Sequence, residues 1–195
     1  MSFVELPEII TPMMKPGLLD RGFIQRGATS LRINKPGSRH RMTFTYPPMP
    51  PEVAARFSTK LKRALRNGLQ IPVPLLIKQG VPGSPVVDGA GQSGSSIAVR
   101  GLTPGYIAKE SFWLTIVDAD DTAYLHAVET TVVADGSGEA TIEIEPPLRA
   151  PFEDGDTIEL GKPYMQGFVE LPVLEQEYIE AKFTAGITFP LEEYK

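Results

Sequence analysis

The sequence predicts a mainly β protein with one amphipathic helix, and three observations carry that reading. Glycine and proline are plentiful, 18 and 19 of 195 residues, and they are spread along the whole chain; this suits many short strands joined by turns. Short apolar and alternating runs, separated by turn residues, follow one another from residue 95 to residue 160. One stretch alone, 51–67, combines helical spacing of apolar residues with entry and exit signals. Hydrophobic residues make up 42%, enough for a packed core at this length.

Taken in order, residues 1–22 are punctuated by Pro7, Pro12, Pro16 and Gly17 and read as an arm or loop. Residues 28–34 (ATSLRIN) and 41–46 (RMTFTY) read as strands, with KPGSRH between them as a turn, so a hairpin is expected. Met42, Phe44 and Tyr46 alternate with Thr43 and Thr45, the period of a half-buried strand. In the helix, Pro51 suits the first position, Glu52 the first turn and Gly68 the exit. Val53, Phe57, Leu61 and Leu65 form its apolar stripe, and Arg56, Lys60, Lys62, Arg63 and Arg66 lie largely away from it. The bland reading is a surface helix packed on a sheet; the functional ones are an assembly face or a nucleic-acid face. Aromatic residues are not interleaved with the basic ones, which argues against single-strand binding.

Residues 69–87 are Pro-rich and apolar. Pro72 and Pro74 interrupt ladder bonding, so an edge strand or a connector between subdomains is expected. Strands follow at 95–101, 111–118, 123–134, 139–145 and 156–160, and their spacing predicts a small antiparallel barrel or sandwich. In EATIEIE, Ala140, Ile142 and Ile144 take one face and Glu139, Thr141, Glu143 and Glu145 the other, so one face is buried and one is wet. A second Pro-containing connector is expected at 163–172, then two strands, Tyr178–Thr184 and Gly186–Phe189.

The chain carries a net charge of −5, unevenly: residues 1–66 sum to +8 and residues 67–195 to −13. A basic surface on one copy can meet an acidic surface on the next, although charge blocks are more often solvated. The candidate contact residues are Arg56, Lys60, Arg63 and Arg66 on the helix, against Asp118, Asp120 and Asp121 in one acidic turn and Glu153, Asp154 and Asp156 in another. Calcium is the alternative use of those turns. Neither carries the twelve-residue loop pattern with a terminal Glu, and Asp and Gly are favoured in turns for backbone reasons.

No catalytic constellation emerges. The chain has no cysteine, so disulfides and thiolate metal sites are excluded. GAGQSG (89–94) matches a dinucleotide pattern, but a strand-like segment follows it where a helix is required. The two histidines lie far apart: His40 in a turn between arginines, and His126 within a strand, where a half-buried structural role is expected over zinc ligation. Only Trp113 supplies an indole, so no sugar-cleft signature supports a pair of hydrolytic carboxylates. No apolar run nears the roughly 18 residues of a membrane span, and the N-terminus lacks the pattern of a secretion signal. The expectation is a non-enzymatic assembly protein without cofactor, metal, membrane or specific nucleic acid.

The string GATSLRINKPGSRHRMTFTYPPMPPEVAARF resembles tail proteins of long-tailed bacteriophages. So do GLTPGY, YLHAV and ADGSGEATIEIEPPLR between Gly101 and Pro163, and the terminal FPLEE. Together they cover about residues 22–195 and resemble distal tail or baseplate minor tail proteins. The resemblance implies an antiparallel β-sandwich or barrel of tail-tube type, here residues 1–75 with 171–195, and a small β-barrel inserted at 76–170. It implies a homo-oligomeric ring of six copies at the tail tip, linking the tail tube to baseplate hub proteins in a virion assembled from protein made in the host cytoplasm. It marks no residue for carry-over, because ring contacts have no fixed motif. Two other readings stay open. One is another virion protein, a tail terminator or a capsid decoration protein. The other is a carbohydrate-binding module, for which Trp113 and Tyr124 are the first residues to test.

Overall fold

The computed structural model describes residues 3–7, 11–26, 30–33, 37–171, 178–179, 183–184 and 186–194. The elements in the first half of the chain are β1 (Val4–Glu5), β2 (Met13–Lys15), β3 (Leu18–Leu19), β4 (Phe23–Gln25), β5 (Leu31–Ile33), β6 (Arg39–Tyr46), α1 (Pro51–Asn67), β7 (Leu69–Pro72) and β8 (Gly83–Val87). Then come β9 (Ser96–Leu102), β10 (Ile107–Ala108), β11 (Trp113–Val117), β12 (Ala123–Val128), β13 (Val132–Val133), β14 (Ala140–Glu145), β15 (Thr157–Glu159), β16 (Tyr164–Val169), β17 (Tyr178–Ile179), β18 (Phe183–Thr184) and β19 (Ile187–Glu193). The protein is thus mainly β, with a single helix among the described residues and a closed antiparallel barrel of six strands. It divides into two compact units: residues 1–17, 40–74 and 165–194 form one, and residues 18–39 and 75–164 the other.

The first unit is a sheet in the order β1-β7-β16-β19-β6-β2. Its centre follows from alternation on β6 and β19. Met42, Phe44 and Tyr46 on β6 oppose Leu191, Phe189 and Ile187 on β19, and all six are buried. The expected hairpin of 28–34 with 41–46 does not form: β5 pairs with β4, and β6 pairs with β19 and β2. The reason is burial. The apolar face of β6 needs equally apolar neighbours, which β19 supplies, whereas Leu31 on β5 is 61% exposed.

Helix α1 matches the expected span and ends. Pro51 occupies the first turn with Glu52, Arg66 lies in the last turn, and no side chain caps the N-terminus. At the exit Gly68 adopts φ +83° and donates its N–H to Ala64 O at 2.8 Å. A side chain there would be strained and would collide with Phe3. The buried face is Ala54, Phe57, Ser58, Leu61 and Ala64, not the four-residue series from Val53 to Leu65. At about 3.6 residues per turn, steps of four drift by about 40° each, so Val53 and Leu65 end on the flanks, half-buried. Phe57 packs on the sheet through Tyr46, with ring centroids 4.5 Å apart.

Other expectations are revised. The N-terminal arm contributes strands: β1 runs parallel to β7, and β2 pairs with β6. The 69–87 connector contains two strands. The first, β7, lies between β1 and β16 instead of at an edge, and its pairing with β1 stops two residues short of Pro72. The supposed connector at 163–172 is largely β16, a strand that belongs with the sheet. Near the C-terminus, the expected strand 178–184 is described only at its ends, where β17 and β18 pair antiparallel with each other; residues 180–182 lie outside the described residues.

In the second unit the barrel closes in the order β11-β12-β14-β9-β8-β15. Its interior is lined by alternate residues such as Ile97, Leu114, Ile116, Ile142 and Ile144, each fully buried. Gln79 is buried beside this core, where its side chain accepts from Trp113 N–H and donates to the carbonyls of Trp113 and Leu160. Burying that amide is tolerated because its polar atoms are paired.

Candidate functional site

The chemistry available at the surface is charge. Arg56, Lys60, Lys62, Arg63 and Arg66 are all exposed on α1, as the amphipathic pattern requires once Ala54, Phe57 and Leu61 face the sheet. None of the five forms an ion pair with any described residue. Glu52 stands one turn before Arg56 and is the helix's one acid.

The acidic turns are organised by their own backbones. Asp118 accepts the N–H groups of Asp120 and Thr122, both at 2.9 Å, and the hydroxyl of Tyr124 at 3.3 Å. Asp156 accepts Glu153 N–H at 2.8 Å. Asp154 accepts Gly89 N–H at 2.9 Å and pairs with Arg100, which also binds Asp88 at 3.0 Å. The Arg100 guanidinium, and then the Gly89 N–H, hold the Asp154 carboxyl below the usual aspartate range. Asp118, Asp154 and Asp156 therefore serve turn geometry, while Asp120, Asp121 and Glu153 stand exposed beside them.

The GAGQSG segment is fastened to the barrel. Gln92 accepts Ala98 N–H at 2.6 Å and donates to Asp88 O at 2.6 Å, and Gly91 N–H reaches Phe152 O at 2.8 Å. It leads into strand β9, not into a helix. His126 is fully buried rather than half-buried, with Nδ1 2.7 Å from Pro146 O. His40 is not in a turn; it is a buried residue of β6, and its N–H donates to the buried Glu193 carboxylate at 2.9 Å. Tyr124 is a core residue packed edge-on against Phe152, and Trp113 is half-buried. Among the described residues no three His, Asp or Glu side chains are grouped to hold a metal ion, and no helix is long and apolar enough to cross a membrane.

One feature of the acidic surface was not legible in the sequence. The wet face of β14 was, but its cross-strand partner was not. Ala127 and Val128 oppose Glu145 and Ile144, and Glu129 N–H donates to Glu143 O at 2.9 Å. That register sets Glu129 directly opposite Glu143, both exposed. Thr130 donates its hydroxyl to Glu143 at 2.8 Å; no described cation pairs with Glu129, Glu139 or Glu143.

No family model matches the sequence, and no curated protein matches it significantly.

Proposed function

We propose that this protein is a structural, non-enzymatic subunit of a bacteriophage tail, of distal tail or baseplate type, forming a homo-oligomeric ring of six copies at the tail tip. The observation that carries the reading is the topology. A sheet unit with one packed helix is interrupted after β7 by a closed barrel and resumes at β16, and the barrel's unit also takes in residues 18–39. That topology supports a ring domain carrying an inserted barrel, the division the Pro-rich connector and the terminal strands suggest in a chain that resembles distal tail proteins. The unpaired cations of α1 in one unit, and Glu129 and Glu143 in the other, with which no described cation pairs, support a head-to-tail contact, since a self-matched contact at either face would bring like charges together. In this reading the sheet unit makes the ring beneath the tail tube, and the ring joins the tube to the baseplate hub.

The test is an image of the purified full-length protein, and of the particle that carries it, with the rotational symmetry determined. Closed six-fold rings at the distal end of a tail are expected. A ring at the head-proximal end assigns a tail terminator, copies scattered on a capsid assign a decoration protein, and a monomer in the particle rejects the ring.

A further inference from the structure

We propose that the cationic face of α1 on one copy docks against the acidic outer wall of the barrel of the neighbouring copy, at β14 together with Glu129. The inference rests on the ring reading and names the contact that closes it. The five cations of α1 point away from the sheet with no ion-pair partner among the described residues. On the barrel, Glu129 and Glu143 are directly opposed across adjacent strands, an arrangement that repels. Such a pair is relieved by a cation, and the described residues bring none. Glu139 continues the acidic strip along the same outward face.

The dimensions agree. From Arg56 to Arg66 the helix rises about 15 Å at its usual pitch. From Glu139 to Glu143 the strand extends about 13 Å, and Glu129 widens the strip by one strand spacing of about 5 Å. Two straight elements of opposite charge and similar length can lie along one another.

The acidic turns are weaker partners. Asp118, Asp154 and Asp156 already accept hydrogen bonds from their own turns or from Arg100, so a docking cation would compete with existing partners. Glu129 and Glu143 lose a repulsion when a cation arrives. Exposed ion pairs add little affinity singly, so this contact sets register and orientation within a larger interface.

The test uses the full chain and sedimentation velocity over a concentration series. The variants are Arg56→Glu/Arg63→Glu on the helix, Glu129→Lys/Glu143→Lys on the barrel, and the fourfold combination. Each double variant is expected to raise the concentration for half-assembly by roughly tenfold, and the combination to bring it back to within about threefold of the wild type, because reversed charges meet reversed charges. Circular dichroism checks that each variant is folded. Glu129→Gln/Glu143→Gln, which removes charge without adding a new repulsion, is expected to weaken assembly less than the lysine pair. Assembly of both barrel variants at the wild-type concentration, or a combination no better than its worse parent, overturns the contact while leaving the ring standing. A wild-type chain that is monomeric at every concentration, and in the particle, overturns both.

Discussion

At the scale of single residues, burial decides which groups respond to pH. Tyr46 is 4% exposed between the sheet and α1, and desolvation pushes its phenol up from 10.0 to about 12. Between those values the unfolded chain loses the proton while the folded chain keeps it, so folding stability falls as pH rises from 10 towards 12. The loss for a fully developed shift is on the order of 2 kcal/mol. Tyr106 and Tyr164 are raised as well, both chiefly by burial, so Tyr46→Phe is expected to remove only part of the alkaline loss. Denaturant melts of wild type and variant at pH 8 to 12 check this: the wild type should lose more stability than the variant as pH rises. Parallel curves would mean that the Tyr46 ring ionises as freely as in the unfolded chain.

At the scale of elements, α1 is held to its sheet by a few apolar side chains, since its N-terminus has no side-chain cap. Phe57 is the largest of them, 1% exposed and in contact with Tyr46. Phe57→Ala is therefore expected to cost about 3–5 kcal/mol, the range for emptying a buried aromatic site, read as a lower urea midpoint with an unchanged slope. Substitution of Lys60, at the surface of the same helix, should move that midpoint far less. The elements legible in the sequence are those whose signal is local. The helix shows its period and its Pro and Gly ends; β9 and β14 show alternation between turns. The strand β16 was hidden because YMQGFV does not alternate and most of it is buried, so nothing distinguishes it locally from an apolar connector. The partner of β6 was hidden for another reason: pairing Thr43 with Pro190 joins distant parts of the chain, and a nearby Pro-Gly turn offered a local alternative that burial overrules. The candidate site divides the same way. Exposure of the α1 cations follows from periodicity, whereas the Glu129–Glu143 opposition needs a register that only the folded barrel defines.

At the scale of the whole molecule, the topology places the barrel between two neighbouring strands of the sheet, and residues 18–39 belong with the barrel's unit as well. The chain leaves after β7 and returns as β16, and these two strands are neighbours. Gln166 donates to Gln70 at 2.9 Å, tying them side by side. The sheet therefore needs only a short connection where the barrel now stands, and closing a short loop costs less entropy than closing a long one. The barrel keeps its own apolar interior, from Val87 to Leu160, so its core does not depend on the residues of the sheet. Replacing residues 75–163 by a short Gly/Ser linker is accordingly expected to leave a protein that retains the helical circular-dichroism signal of α1 and melts in one cooperative step. The same protein should fail to form rings under the proposed contact, because it keeps the cationic helix and lacks the glutamate wall. A shortened chain that is unfolded would show that the sheet requires the barrel to fold; one that is folded and still assembles would place the ring contacts within the sheet unit alone.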